Sequence, residues 1–294
     1  MITFLTRRSL LAAPLLPVAA PAPTGPLPVV ASFSIVADLV QQVGGEDVAV
    51  SSLVPPDGDP HVFQPRPGDL NRLRSAAVVV ESGLGLEGWL SRMVQSSAFS
   101  GIRVTATAGI EPRRTGQGAH AVPDPHVWQD PRLAIQMVRQ IAEGLGRADP
   151  ARAGVYKLRG ESYAARIRQE DAAIGGRWAA VPLARRRVIT THDAFAYYGA
   201  RYGVTFLAAQ GLSTEAEPSA RALARLAAQM REQGLRTVFV ENMTDPRIAR
   251  AIAREAGATV GAKVYADSLS PPGGPAPTYL DMLRYNTDQF VGST

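Results

Sequence analysis

Short runs of β-branched and aliphatic residues alternate with longer helix-forming segments through nearly the whole sequence, and this alternation restricts the fold more than any other feature. Alternating strands and helices are typical of α/β proteins, in which helices cover sheets that are mostly parallel. We therefore predict an α/β fold with central, mostly parallel sheets flanked by helices. The strands are predicted at residues 29–33, 48–54, 77–81, 104–106, 187–191, 204–207, 237–241 and 263–266.

The longest helical pattern lies in the middle of the chain, at residues 150–180, and it divides the alternation into two similar stretches. It is rich in good helix formers, and Asp149 and Pro150 stand where a cap and a first-turn proline belong. We interpret residues 149–180 as a helix that connects an N-terminal α/β lobe, residues 23–148, to a C-terminal α/β lobe, residues 181–294. The other helices are predicted at residues 35–43, 67–76, 89–97, 132–145, 194–202, 219–233, 246–256 and 278–291.

The first 22 residues have the pattern of a cleaved export signal. Arg7 and Arg8 precede an apolar stretch that ends near Ala20 and is too short to span a bilayer. The paired arginines fit a twin-arginine signal as well as a general secretory (Sec) one, so both routes stay open. Because the sequence contains no cysteine, we expect neither disulfides nor a lipid-acceptor residue. We therefore expect a free periplasmic protein, with release into the medium as the alternative.

The charge of the chain is mildly basic, with a formal net charge of +5 and a sequence pI near 9.8. The arginines are scattered, and their densest run, at residues 185–187, has no interleaved aromatic residues. Nucleic-acid-binding surfaces usually combine clustered basic residues with a recognisable motif. No nucleic-acid partner is therefore expected.

A near-repeat is the strongest signal of a binding site. Residues 59–64 read Asp-Pro-His-Val-Phe-Gln and residues 124–129 read Asp-Pro-His-Val-Trp-Gln, so five of the six positions are identical. Proline fixes its own backbone angle and restricts the residue before it, which narrows the conformations available ahead of each histidine. Both copies fall in predicted loops, where binding residues concentrate. We therefore predict that His61 and His126 serve one preorganised site.

Two further candidate ligands follow predicted strands in the second part of the chain. His192 comes directly after strand 187–191, and Asp267 comes directly after strand 263–266. Ligands of open α/β sheets bind beyond the carboxyl ends of the strands, so both residues lie where a binding site is expected. Three histidines and one carboxylate suit zinc, with manganese as the main alternative, and the lack of cysteine argues against a soft-metal site. The fourth histidine, His120, is either an auxiliary ligand or a solvated loop residue.

Taken together, these motifs resemble the metal-specific solute-binding proteins of bacterial ABC importers, the cluster A-I proteins that carry zinc or manganese. The resemblance extends from about residue 29 to the end of the chain. Its matching stretches are residues 59–67, 83–90, 124–131, 191–198, 211–219, 239–241, 265–268 and 278–286.

The resemblance implies two α/β lobes joined by one long rigid helix, with the metal between them. The four ligand positions of the family then fall on His61, His126, His192 and Asp267. Histidine at the third position favours zinc, whereas the short loop before the second ligand, which carries only His120, leaves manganese or mixed specificity open. The implied partner is the permease of an ABC importer in the inner membrane, and the implied carrier is a monomer.

Capture without turnover is the mechanism that we expect, because four protein ligands leave no open position on the ion for an activated water. Imidazoles must be neutral to bind metal, so the affinity should fall below about pH 6.5. Two alternatives belong to other classes. One is a zinc hydrolase that uses Asp267, Glu215 or Glu241 as its base, and the other is an adhesin or interaction module.

Overall fold

The computed structural model describes residues 25–116 and 121–294. The predicted signal segment, residues 1–22, and His120 lie outside these ranges. In the N-terminal half, four parallel strands form one sheet in the order β2-β1-β3-β4. The strands are β1 (Leu27–Phe33), β2 (Val48–Val54), β3 (Val78–Glu81) and β4 (Ile102–Thr105).

Helices cover this sheet, and the last of them begins at a cap that is visible in the sequence. The side chain of Asp130 accepts a hydrogen bond from the N–H of Arg132, and Pro131 occupies the first turn. This helix contacts β3 and β4. The helices are α1 (Ser34–Gly44), α2 (Pro67–Ser75), α3 (Leu90–Ser96) and α4 (Pro131–Ala148), and two short antiparallel strands, β5 (Arg114–Thr115) and β6 (Val122–Pro123), precede α4.

A long helix, α5 (Ala153–Ala179), follows, and its 27 residues correspond to about 40 Å of helix. A 3-10 turn at Pro150–Arg152 precedes it, so the helix starts three residues later than the sequence predicts. Asp149 does not cap it as predicted, because the Asp149 carboxylate accepts hydrogen bonds from the side chains of Arg152 and Tyr156 instead.

The C-terminal half repeats the α/β pattern with two parallel strand pairs. β7 (Arg187–Thr190) pairs with β8 (Thr205–Ala208), β9 (Thr237–Glu241) pairs with β10 (Thr259–Val264), and β7 lies beside β9. The predicted α/β class, with parallel sheets flanked by helices and one long helix, is confirmed. The helices of this half are α6 (Ala196–Tyr202), α7 (Ala220–Glu232), α8 (Pro246–Ala256) and α9 (Tyr279–Gly292).

Most strand bounds differ from the prediction by one or two residues, as at β1, which begins at Leu27 rather than at residue 29, and the difference is larger at β10. β4 begins at Ile102 rather than at residue 104, because its pairing with β3 extends back to Ile102. β10 covers Thr259–Val264 rather than residues 263–266, because its pairing with β9 shifts between Val260 and Lys263. Gly261 lies in that irregularity, and a glycine at a bulge interrupts the strand pattern in the sequence.

One apolar core extends through both halves of the chain. A smaller apolar cluster lies under α7 and α8. None of the helices in the described ranges has the length and the apolar character that crossing a membrane requires. The largest fully buried side chains of the main core include Trp128, Tyr156, Trp178, Tyr198 and Phe290.

Candidate metal centre

The structure brings the four predicted ligands to one place. One nitrogen from each imidazole and one carboxylate oxygen of Asp267 all lie within 4.8 Å of one another. His61 lies in the loop after β2, and His126 lies just before a 3-10 turn at Val127–Gln129. His192 follows the end of β7, and Asp267 follows the end of β10. Each of these positions agrees with the loop or strand-end placement that the sequence predicts.

Asp267 lies at the centre of the cluster, and all three imidazoles direct Nε2 towards its carboxylate. The distance from Oδ2 is 3.2 Å to His61 Nε2 and 3.0 Å to His192 Nε2, and Oδ1 lies 3.6 Å from His126 Nε2. The imidazole ring centroids are 5.3 to 5.8 Å apart. Four donor atoms therefore face one small volume.

Two of the imidazoles also contact a carboxylate through Nδ1, the ring nitrogen that faces away from Asp267. Asp124 Oδ1 lies 2.7 Å from His126 Nδ1, and Glu241 Oε2 contacts His192 Nδ1. Glu241 Oε1 also accepts the N–H groups of Thr191 and His192, at 2.9 and 3.0 Å. A carboxylate on Nδ1 places the proton there, which leaves the Nε2 lone pair free to bind a metal.

The sequence alone does not identify these two supporting carboxylates. Asp124 belongs to the repeat, two residues before His126, but the repeat by itself gives its side chain no role. For Glu241 the sequence suggests only the role of a base in the hydrolase alternative. Its position at the carboxyl end of β9, at the same sheet edge as His192, is the signal that could have identified it.

Burial and neighbouring charges shift the pKa values of the clustered residues in opposite directions. His126, His192 and Asp267 are fully buried. Burial disfavours the charged imidazole of His126, but the neighbouring carboxylates of Asp267 and Asp124 outweigh it and raise the pKa of His126 to about 9. Burial likewise opposes charge on His192, yet Glu241 and Asp267 raise its pKa. The pKa of Asp267 is lowered, because the two imidazoles outweigh the effect of burial.

Three buried polar atoms at the centre have no partner in hydrogen-bonding geometry among the described residues, although charged atoms lie close to them. They are His126 Nε2, His192 Nε2 and Asp267 Oδ1. An unsatisfied buried polar group costs about 1–3 kcal/mol, so three atoms facing one point are unfavourable unless a ligand satisfies them. A divalent cation would interact with all three at once. The donor set therefore fits a metal ion.

An open groove of about 890 Å³ leads from the surface to His61. Both halves of the chain line it, with Phe63, Trp89 and Arg92 on one side and Leu212 and Glu215 on the other. The side chain of His61 is 5% exposed, whereas those of the other three candidate ligands are completely buried. His61 is therefore the candidate ligand nearest to the solvent.

Glu87 anchors a glycine-rich turn, residues 83–88, that lines part of this groove. Its buried carboxylate accepts hydrogen bonds from Ser32 Oγ at 2.6 Å, from Ser82 N–H at 2.7 Å and from Gly83 N–H at 3.1 Å. The turn is thereby fixed to the end of β3.

Comparisons with known proteins relate this chain to metal-binding proteins. The family described as zinc-uptake complex component A, periplasmic, matches residues 29–293. The manganese-binding lipoprotein MntA of Halalkalibacterium halodurans is 29% identical over 266 residues, which cover 90% of this chain and 87% of that protein. The iron-binding protein YfeA of Yersinia pestis is 29% identical over 264 residues, which cover 90% and 85%.

A solved structure supports the same relationship. The periplasmic zinc-binding protein TroA of Treponema pallidum superposes with a TM-score of 0.85 at 28% identity. The superposition covers 92% of this chain and 99% of that one.

Proposed function

This chain belongs to the family of periplasmic zinc-uptake complex component A, and on that premise we propose that it captures one divalent transition-metal ion, zinc, outside the cytoplasm. The ion is cargo rather than a cofactor, and the protein passes it to an ABC importer in the inner membrane. The proposed ligands are His61, His126, His192 and Asp267.

The observation that carries this proposal is the convergence of three Nε2 atoms on one buried carboxylate. Capture replaces the waters of the ion by these four donors. Asp124 and Glu241 hold His126 and His192 with Nε2 directed inward, so little ordering is needed when the ion arrives. The ion would enter through the groove and contact His61 first.

The choice of zinc rests on the donor set. Three neutral nitrogens and one carboxylate suit the tetrahedral preference of zinc, whereas manganese prefers more oxygen donors. The similar proteins include ones named for binding manganese, iron and zinc, so they support a metal carrier without selecting the metal.

The hydrolase alternative has little support. Glu241 already accepts hydrogen bonds from Thr191 and His192, so it is not free to act as a base. Glu215 is exposed and lines the groove. The family is one of uptake components, in agreement with the prediction of a binding protein that is not an enzyme.

The organisation around the site is part of the same proposal. Residues 1–22 would be a cleaved export signal, residues 23–148 and 181–294 would be the two lobes, and residues 149–180 would connect them. The carrier would be a monomer in the periplasm.

Metal analysis of the mature protein, isolated from a bacterial periplasm without chelator, tests the proposal. Tighter binding of zinc in vitro is not sufficient, because affinity for divalent ions generally rises from manganese to zinc. We expect one zinc per chain in the wild type and none in His192→Ala. The control is Asn71→Ala, at an exposed asparagine of α2, which should keep the ion. Equal metal content in the wild type and His192→Ala would refute the ligand set, and one manganese per chain would refute zinc alone.

A further inference from the structure

The loop that carries His61 belongs to the N-terminal half, yet three hydrogen bonds connect it to the C-terminal half. The N–H of Asp57 donates to the carbonyl of Leu269 at 3.1 Å, and Asn242 Nδ2 donates to Asp57 Oδ1 at 2.8 Å. A third bond runs from Thr214 Oγ1 to Asp59 Oδ2 at 2.6 Å. We call the side-chain pair of Asp57 and Asn242 the clasp.

Asp57 occupies a backbone conformation that needs support. Its φ is 59°, in the left-handed region that residues other than glycine adopt only rarely, although aspartate is among those enriched there. The next residue, Gly58, donates its N–H to the carbonyl of Pro55 at 3.0 Å and closes the turn. The bonds to Leu269 and Asn242 hold this strained turn in place from the opposite half.

Asn242 connects the turn to the strand ends of the site. It follows Glu241, whose carboxylate holds His192, and its own N–H donates to the carbonyl of Val264 at the end of β10, three residues before Asp267. The buried Oδ1 of Asn242 has no hydrogen-bond partner in the described part of the chain. If the side-chain amide of Asn242 were rotated by 180°, its oxygen would face the Asp57 carboxylate and two acceptors would repel each other. Asp57 therefore fixes the orientation of the Asn242 amide.

His61 depends on its loop more than the other two histidines do. Within the described ranges, no carboxylate lies within 4.0 Å of His61 Nδ1, whereas Asp124 and Glu241 hold the corresponding atoms of His126 and His192. The position of the loop therefore decides where the His61 ring stands relative to Asp267.

We infer that Asn242 is a positioning residue that, through Asp57, holds the His61 loop against the strand ends bearing His192 and Asp267 and thereby slows the escape of the bound metal. This inference rests on the proposed metal-carrier function. Because the clasp lies outside the ligand set, losing it should speed release and leave the stoichiometry at one ion per chain.

Exchange of the two side chains gives the sharpest test. In Asn242→Asp, two carboxylates face each other and repel. In the double variant Asn242→Asp/Asp57→Asn, the amide at position 57 can donate to the carboxylate at position 242, so the hydrogen bond is restored in the opposite direction. The measurement is the rate at which zinc is lost from the full-length mature protein to an excess of a chromogenic chelator. We expect Asn242→Asp and Asn242→Ala to release zinc at least about tenfold faster than the wild type, because each variant loses the hydrogen bond to the charged Asp57 side chain. The double variant should return to within about threefold of the wild type.

Asn71→Ala, at an exposed asparagine of α2, is the matched control and should release zinc at the wild-type rate. Wild-type rates in both single variants, or no rescue in the double variant, would overturn the clasp while leaving the carrier function intact. A wild type that holds no metal would instead overturn the carrier function, and the clasp with it. If Asn242→Ala does not fold, the comparison of Asn242→Asp with the double variant decides the question.

Discussion

Asp124 Oδ1 accepts two hydrogen bonds from one residue, the N–H of His126 at 3.0 Å and its Nδ1 at 2.7 Å. The same oxygen thus fixes both the backbone and the ring of a candidate ligand. The first copy of the repeat uses its aspartate differently, because Asp59 accepts the N–H of His61 at 2.8 Å and the hydroxyl of Thr214. The two nearly identical segments therefore hold their histidines differently. Asp124 fixes the ring of His126, whereas the position of the His61 ring depends on the position of its loop.

Replacing Asp124 should weaken metal binding without removing a ligand. In Asp124→Ala the ring of His126 loses its orienting carboxylate, and changes of this kind typically reduce metal affinity by about 10–100-fold. Competition titration with a zinc chelator of known affinity would measure the loss. Asp288→Asn, at an exposed aspartate of α9, is the matched control and should bind as the wild type does. An unchanged affinity in Asp124→Ala would show that the contact does not support the site.

Metal binding should release protons at neutral pH. With a pKa of about 9, His126 is protonated at pH 7.5 in the metal-free protein, and it must lose that proton to coordinate. The affinity should therefore rise with pH until about pH 9, rather than level off above pH 6.5 as the sequence alone suggests. Calorimetry in two buffers with different enthalpies of ionisation gives the number of protons released.

We expect at least one proton per ion at pH 7.5, and less release from His126 as the pH rises past about 9. The sign follows from competition, because protons and metal bind the same nitrogen and a higher pH removes the competitor. A binding enthalpy at pH 7.5 that does not depend on the buffer would contradict the raised pKa of His126.

The long helix should contribute to stability through its buried face. Trp178 is 1% exposed, and its Nε1 donates to the hydroxyl of Tyr198 at 2.8 Å. We expect Trp178→Ala to lower the free energy of unfolding by about 3–5 kcal/mol, the usual cost of deleting a large buried aromatic side chain. Leu158→Ala, on the same helix but 73% exposed, should change it by less than about 0.5 kcal/mol. Chemical denaturation of the metal-free protein measures both, and similar values for the two variants would contradict the assigned core.

Much of the site could be predicted because its geometry follows from chain topology. Parallel strands present their carboxyl ends at one sheet edge, so His192 and Asp267 could be placed together from the strand pattern alone. The repeat likewise identified His61 and His126. Their roles as metal ligands remain predictions until the metal is measured.

The rest depends on distances between segments that no local pattern encodes. Glu241 reaches His192 because β7 and β9 lie side by side, which the sequence does not reveal. Asn242 and Asp57 meet across 185 positions of the chain. The two-residue strands β5 and β6 are too short to show any periodicity, and the bulge near Gly261 hides the start of β10.

The shared core limits how an ion can leave. Trp128, at the junction of the halves, is fully buried, donates to the carbonyl of Ala266 and accepts the hydroxyl of Tyr279 through its own carbonyl. Swinging the halves apart would expose such side chains, at roughly 4–6 kcal/mol for each large aromatic residue. Exchange of the ion should therefore require only a local displacement near His61. In small-angle scattering, the radius of gyration should therefore be the same for the metal-free and the metal-loaded protein. An importer would then have to distinguish the two forms by the positions of a few loops rather than by the overall shape of the protein.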